Sequence, residues 1–283
     1  MFSPYIALMK LRVVELLVVT TVPALFLASH GVPPIGVSAA TLLGGTLAAG
    51  AANAFNMIIE SDIDQLMGRT SKRPIVNKEI TETQALIFAF SITVVSLTIF
   101  WFFTTKLATA LTAGAIIFYV FIYTIGLKRR TNQNIVWGGI AGCFPVIIGW
   151  SAITNSLSWT AALFFLLVFF WTPPHFWALA IKYRDDYSAA GIPMLPSVAP
   201  IGEVAKQMWF HTIAMFATSF FTLWSADAPT WSYPVALGLA IFFAYLMRGL
   251  TGASSEKVAM RVFHGSITFL SIYSILLVVV ALT

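Results

Sequence analysis

Long apolar runs separated by short polar segments set the rhythm of the chain. A helix needs roughly 20 mostly apolar residues to cross the hydrocarbon of a bilayer. Nine runs meet that need, at about 13–31, 36–57, 84–104, 108–127, 134–153, 159–181, 206–225, 231–248 and 262–282. The pattern predicts an all-α, polytopic membrane bundle of about nine transmembrane helices, forming a single integral-membrane domain over residues 1–283. Two intervening segments, about 58–83 and 182–205, are long for a compact protein and mix Pro, Gly and apolar residues with their charges. Long segments of that kind are functional or disordered, and their apolar content predicts order.

Lys and Arg give the bundle a direction. With the N-terminus on the cytoplasmic side, the inner segments hold Lys10, Arg12, Arg69, Lys72, Arg73, Lys78, Lys128, Arg129, Arg130, Lys182, Arg184, Lys206, Arg248, Lys257 and Arg261. The outer segments hold only Lys106. This is a strong positive-inside signal, and one span too many or too few would scramble it. The acids follow the same sorting although that rule does not require it. Ten of the eleven fall near the inner side, and Asp227 is the exception.

The first acidic group lies where the second span ends, in Asn56-Met-Ile-Ile-Glu60-Ser-Asp62-Ile-Asp64, followed by Arg69, Lys72, Arg73 and Pro74. Asn56, Glu60 and Asp64 are four residues apart, so on a helix each lies about 40° from the next and the three form one stripe. Two carboxylates and an amide are hard oxygen ligands, the kind Mg²⁺ takes together with substrate phosphates. The basic residues that follow are suited to gripping phosphate oxygens. A solvated helix end would explain the residue types, but not this spacing with a basic run behind it.

The second group ends the sixth span: Trp171-Thr-Pro173-Pro174-His175-Phe-Trp177, then Lys182, Tyr183, Arg184, Asp185, Asp186 and Tyr187. His175, Lys182 and Asp186 are 7 and 11 residues apart, which predicts a shared helix face within about 40°. The Pro pair predicts a kink or a restart just before His175. A third segment, Tyr123 to Asn134 with Lys128, Arg129 and Arg130, reads as a topogenic basic cluster by composition alone. It runs into Gly138-Gly139-Ile-Ala141-Gly142, where small residues predict close helix packing.

The two acidic groups end spans four apart, which keeps them on one membrane face. This predicts two parallel four-helix halves, about 13–127 and 134–248, with a ninth helix at about 262–282. Composition narrows the class further. Of the 283 residues 59% are hydrophobic and only 10% are charged, where a soluble domain carries about a quarter. The one cysteine, Cys143, excludes an internal disulfide and a cysteine-ligated cluster. No aromatic–basic interleaving suggests nucleic acid. The start of the chain lacks the pattern of a cleaved signal or transit peptide, so the first apolar run is expected to persist as a span and the source to be prokaryotic.

On these motifs the chain resembles the UbiA superfamily of intramembrane prenyltransferases, and within it the branch that farnesylates heme. The likeness is carried by Asp62-Ile-Asp64 through Arg73-Pro74, by Tyr123 through Asn134 with Gly138 to Gly142, and by Pro174-His175-Phe176 through Asp186-Tyr187 with Ile192-Pro193-Met194-Leu195-Pro196. Glu60 stands where the superfamily usually has Asp. Tyr183 and Tyr187 stand where quinone-type members have acids. The resemblance implies transfer of the farnesyl group of farnesyl diphosphate to heme B in the lipid bilayer of a prokaryotic cell membrane. It implies Mg²⁺ on Asn56, Glu60, Asp64 and Asp186, with Asp64, Glu60, Lys182 and Asp186 as the catalytic set. Arg69, Lys72, Arg73, Lys128 and Arg129 would bind the diphosphate and His175 the heme, and a heme A synthase or terminal oxidase would be the partner. Three other readings compete: a prenyltransferase with a quinone-precursor acceptor, a secondary transporter, and a structural heme protein built on His30, His175, His211 and His264. The uncharged span centres speak against the transporter.

Overall fold

The computed structural model describes residues 3–68, 70–252 and 255–283, apart from the side chains of residues 12, 13 and 16. A short helix α1 (Ser3–Met9) precedes the first long one, α2 (Leu11–Ser29). Then come α3 (Ile35–Ile59), a single turn α4 (Ser61–Asp64) and α5 (Glu82–Phe103). The next passage is α6 (Lys106–Ile117), which continues without a break into a π-helical stretch, Phe118–Leu127. The second half runs α7 (Asn134–Gly138), α8 (Ile140–Thr154), α9 (Trp159–Lys182), α10 (Arg184–Ala189) and α11 (Leu195–Val198). It closes with α12 (Ile201–Ser225), α13 (Ser232–Met247) and α14 (Ser255–Leu282).

Each predicted span has a helical counterpart among the described residues. Six passages are long and apolar enough to cross a membrane: Ile35–Ile59, Glu82–Phe103, Lys106–Leu127, Asn134–Thr154, Trp159–Lys182 and Ser255–Leu282. The apolar part of α2, Leu17–Ser29, and α13 are shorter, and α12 is long but carries Glu203, Lys206 and Gln207 near its start. Local chemistry marks the ends. The Thr81 hydroxyl accepts from the Gln84 N–H while the Gln84 side chain accepts from the Thr81 N–H, a capping box that starts α5. Thr105 and Ser158 cap α6 and α9 in the same position. His30 and Asn155 take left-handed backbone at the C-termini of α2 and α8, turning the chain back within a few residues.

The outer surface is as apolar as the interior, unlike that of a soluble protein. Ile87, Phe90, Val94, Phe102 and Phe103 of α5 are exposed, whereas Ser96 is buried and donates to the Gly44 carbonyl at 2.7 Å. With no water in the bilayer, buried polar groups must find partners in the protein. Two kinds of packing build the interior. In the second half, α9, α12, α13 and α14 bury Phe164, Trp171, Trp177, Met215, Phe243 and Phe269 in one large core. In the first half, α3 presents Ala48, Ala51, Ala52 and Ala54, and helices approach closely across small residues. The most extensive helix pairs are α3 with α5 and α9 with α12, while α2 against α8 joins the halves. Helix α14 packs on α2, α9 and α13.

Two expectations are narrowed here. The Pro173–Pro174 pair does not restart the helix, because α9 runs through it to Lys182; its lost backbone bonds sit within a helix already held on both sides by α12 and α14. The residues predicted to share a face do not share one environment: His175 is buried, Lys182 is exposed and Asp186 is half-buried. At Tyr183 (φ −103°, ψ 27°) α9 gives way to α10, while the Tyr183 N–H still donates to the Leu179 carbonyl at 3.3 Å and the Tyr187 N–H to the Tyr183 carbonyl at 3.1 Å.

Candidate active site

The polar stripe at the end of α3 survives the helix end. Glu60 has φ −103° and ψ 9°, yet its N–H donates to the Asn56 carbonyl at 3.0 Å and the Asp64 N–H donates to the Glu60 carbonyl at 2.9 Å. These i to i−4 bonds keep Asn56, Glu60 and Asp64 in helical succession. All three are buried, at 2%, 1% and 3% exposure, and a buried charge requires a partner. Each member of the stripe has its own cation. Lys10 Nζ donates to Asn56 Oδ1 at 2.9 Å. Lys128 Nζ lies 2.6 Å from the Glu60 carboxylate, and an Arg73 guanidinium N–H pairs with Asp64 Oδ2. The Lys128 ammonium reaches both Glu60 oxygens, but only Oε2 has hydrogen-bond geometry, so Oε1 is left without a hydrogen bond.

Three elements bring those cations in. Lys128 follows the π-helical stretch, its N–H donating to the Tyr123 carbonyl five residues back at 2.9 Å. A π-turn is uncommon and is found frequently at functional sites. The same stretch places Thr124 where its hydroxyl accepts from Asn56 Nδ2 at 3.2 Å, and it places the Tyr123 ring against Gly138. A Cβ at Gly138 would lie 2.1 Å from that ring, so only glycine allows the approach. Arg73 comes from the turn-rich loop after α4, where Thr70 is buried with its hydroxyl donating to the Asp64 carbonyl at 3.1 Å. Lys10 comes from the junction of α1 and α2. Burial pushes its ammonium well below the ordinary lysine value, and the Arg73 charge pushes the same way.

A cavity of about 330 Å³ opens from this cluster into the bundle. Lys10, Asn53, Asn56, Arg73, Lys128 and Tyr119 line its polar end. Its deeper wall is apolar or small, with Leu17, Val18, Leu42, Ala49, Ile116 and Ile148. The Glu60 and Asp64 carboxylates lie behind their cations rather than on the wall. Both halves contribute, since Trp171, Phe176, Tyr187 and Met194 complete the lining.

The remaining sequence-predicted residues divide. Lys72 is exposed. Arg129 makes a two-pronged pair with exposed Asp62, at 2.9 and 2.8 Å, on the outside of the loop; that hydrogen bond to Arg129 holds the Asp62 carboxyl below its ordinary value. Arg69 lies outside the described residues. His175 is buried with its ring stacked between Trp171 and Phe263, at 4.3 and 4.6 Å between centroids, and its Nδ1 is 2.7 Å from Ser266 Oγ. It faces α14, and the cavity is walled by its neighbours Trp171 and Phe176. Lys182 is exposed, its ammonium 5.6 Å from the Tyr183 ring centroid. Asp186 is half-buried and reaches the loop of the first group: a Cβ at Gly68 would lie 3.9 Å from its Oδ2. Sequence reasoning missed Lys10, Asn53 and Tyr119 as site residues. Lys10 carried only a topogenic signal, and nothing local separates it from Arg12.

The donor chemistry fits Mg²⁺ of one particular kind. Among the described residues no group of three His, Cys, Asp or Glu side chains could hold a metal alone. Two buried carboxylates and an amide, with one Glu60 oxygen held only by its ion pair with Lys128, match an ion that takes one or two carboxylates and completes its shell with phosphates.

The model of the UbiA prenyltransferase family matches residues 17–275. The chain is 49% identical over 281 residues to the protoheme IX farnesyltransferase of Frankia casuarinae, covering 98% of this chain and 97% of that one. It is 50% identical over 280 residues to the protoheme IX farnesyltransferase of Frankia alni, with the same coverages. Among solved structures it resembles a digeranylgeranylglyceryl phosphate synthase, with a TM-score of 0.81 at 15% identity over 99% of this chain and 98% of that one. It also resembles a UbiA homolog from Archaeoglobus fulgidus bound to GPP and Mg²⁺, with a TM-score of 0.71 at 15% identity over 98% and 100%.

Proposed function

Because this chain belongs to the UbiA prenyltransferase family, we propose that it is the enzyme that joins the farnesyl group of farnesyl diphosphate to a vinyl group of heme B, adding water to give the hydroxyethylfarnesyl side chain of heme O. The observation that carries this reading is near-half identity, across almost the whole of both chains, to proteins named protoheme IX farnesyltransferase.

The geometry supports each step. The farnesyl chain occupies the apolar end of the cavity and the diphosphate its polar end, facing Arg73, Lys128 and Asn56. Asn56, Glu60 and Asp64 would hold Mg²⁺ with the diphosphate oxygens, and Asp186 beside Gly68 approaches from the second motif. When bound, the ion neutralises charge on the departing diphosphate. The C1–O bond breaks and its electron pair leaves with the diphosphate, stabilised by Arg73 and Lys128. The terminal vinyl carbon of heme supplies its π pair to C1. The cation left next to the pyrrole ring takes the oxygen of a water, which then loses a proton. Apolar walls keep water from the first cation until the new carbon–carbon bond has formed.

His175 acts as a positioning residue for the acceptor: it stacks on Trp171, and Trp171 lines the cavity. The parallel halves, about 13–127 and 134–248, are supported by the matching α3–α5 and α9–α12 pairs. The fifteen-to-one sorting of Lys and Arg supports a cytoplasmic site in a prokaryotic cell membrane. A heme A synthase or terminal oxidase downstream would use the product. Purified enzyme given heme B, Mg²⁺ and farnesyl diphosphate should yield a product heavier than heme B by one farnesyl group and one hydroxyl. Activity with 4-hydroxybenzoate and none with heme B would overturn the assignment.

A further inference from the structure

The N-terminal helix enters the site by a route that the reaction above does not require. Met9 of α1 packs into the notch at Gly50, where a Cβ would lie 2.6 Å from its methyl carbon. The Met9 carbonyl accepts from Asn53 Nδ2 at 3.0 Å, and Leu8 is fully buried against Ala54, Met57 and Ala85. The next residue, Lys10, has φ 50° and ψ 54°. A non-glycine residue in the left-handed region persists only where its surroundings hold it. Here those surroundings turn the Lys10 side chain onto Asn56 Oδ1, at the polar end of the cavity.

The pairing is one to one, Lys10 with Asn56, Arg73 with Asp64 and Lys128 with Glu60. Two of these cations pair with carboxylates. Lys10 is different: its hydrogen-bond partner is a neutral amide, and the residue lines the cavity. An ammonium bonded to a neutral oxygen gives up less by leaving than one bonded to a carboxylate, and it gains more from an arriving phosphate. Its departure also releases Asn56 Oδ1, one of the three oxygens in the stripe.

We propose that Lys10, delivered by the strapped N-terminal helix, is a third diphosphate-gripping cation that exchanges Asn56 for a phosphate oxygen when the prenyl diphosphate loads, freeing Asn56 Oδ1 for the metal side of the site. The proposal rests on the prenyl-diphosphate reading above.

The test measures binding of farnesyl thiodiphosphate, a poorly reactive analogue, to the full-length enzyme in detergent with Mg²⁺ present. Lys10→Met should weaken binding about 10- to 100-fold, the worth of a charge-assisted hydrogen bond, and Lys10→Arg should recover most of it. The KM for heme should not change. Analogue binding within twofold of wild type in a folded Lys10→Met enzyme overturns the proposal. If that variant does not fold, acylation of the native enzyme replaces it. The analogue should slow acylation of Lys10 relative to exposed Lys206, and an equal rate with and without analogue overturns the proposal. A wild-type enzyme that does not bind the analogue at all defeats the functional reading itself, so the two failures are separable.

Discussion

The two acidic groups end α3 and α9 and look alike as sequence, yet the fold treats them differently. In the first, Glu60 and Asp64 are almost wholly buried, each against a cation from another part of the chain. In the second, Lys182 and Asp185 are exposed and Asp186 is half-buried at the edge of the first group's loop. A carboxylate withdrawn from water is costly to keep charged, so its cation is obligatory and its geometry is held. An exposed one is free to reorient and is screened. On the proposed reading, the first group is the preorganised centre of the site and the second its rim.

Substitutions can break that ranking. Asp64→Ala removes a stripe carboxylate and strands the Arg73 guanidinium, and kcat should fall on the order of 10²- to 10³-fold, as when one preorganised charge-stabilising group is lost. Product quantification by mass spectrometry reads the change, and activity near wild type would remove the metal-site assignment. Glu60→Gln keeps the shape but leaves Lys128 facing a neutral group. It should cost roughly 10²-fold, with a lower apparent melting temperature, since one partner of a buried pair has gone.

The rim should respond less. Asp186→Asn is expected to lower kcat/KM about tenfold, and Lys182→Ala by no more than about twofold, a loss of under roughly 0.5 kcal/mol. A Lys182 effect as large as that of Asp64 would invert the comparison. Asp62→Asn, at the exposed pair with Arg129, should leave activity unchanged and cost about 0.2–1 kcal/mol of stability. The sign follows from the lowered Asp62 value. Its contribution is present above the ordinary aspartate range and is lost as pH falls through the lowered one, so the difference between variant and wild type should vanish in acid. Thermal melts at neutral and acid pH check this.

Much of the fold was legible because a bilayer imposes one length and one chemistry on every span. Each apolar run has its helix among the described residues, although the start of α1 and the break at Lys10 left no periodic signal. The stripe of Asn56, Glu60 and Asp64 was legible for the same reason, since helical spacing is local. His175, Lys182 and Asp186 satisfied the same spacing rule, yet burial separates them, with His175 enclosed against α14 and Lys182 exposed. The basic residues were the least legible. Lys72, Arg73, Lys128 and Arg129 look equivalent along the chain, but only Arg73 and Lys128 turn into the cavity.

By itself the sequence determined a membrane bundle, its succession of apolar helices and the oxygen-rich stripe at the end of α3. All of these follow from apolar length and helical period, which act over a few residues at a time. Tertiary structure decided which cations meet the stripe. Lys10, Arg73 and Lys128 are drawn from three separate segments, the nearest to its partner being Arg73, nine residues from Asp64. No local rule selects them. They are chosen by the need of each buried oxygen for a positive partner and by the glycine notches at Gly50 and Gly138 that let α1 and the π-helical stretch come close enough to supply one.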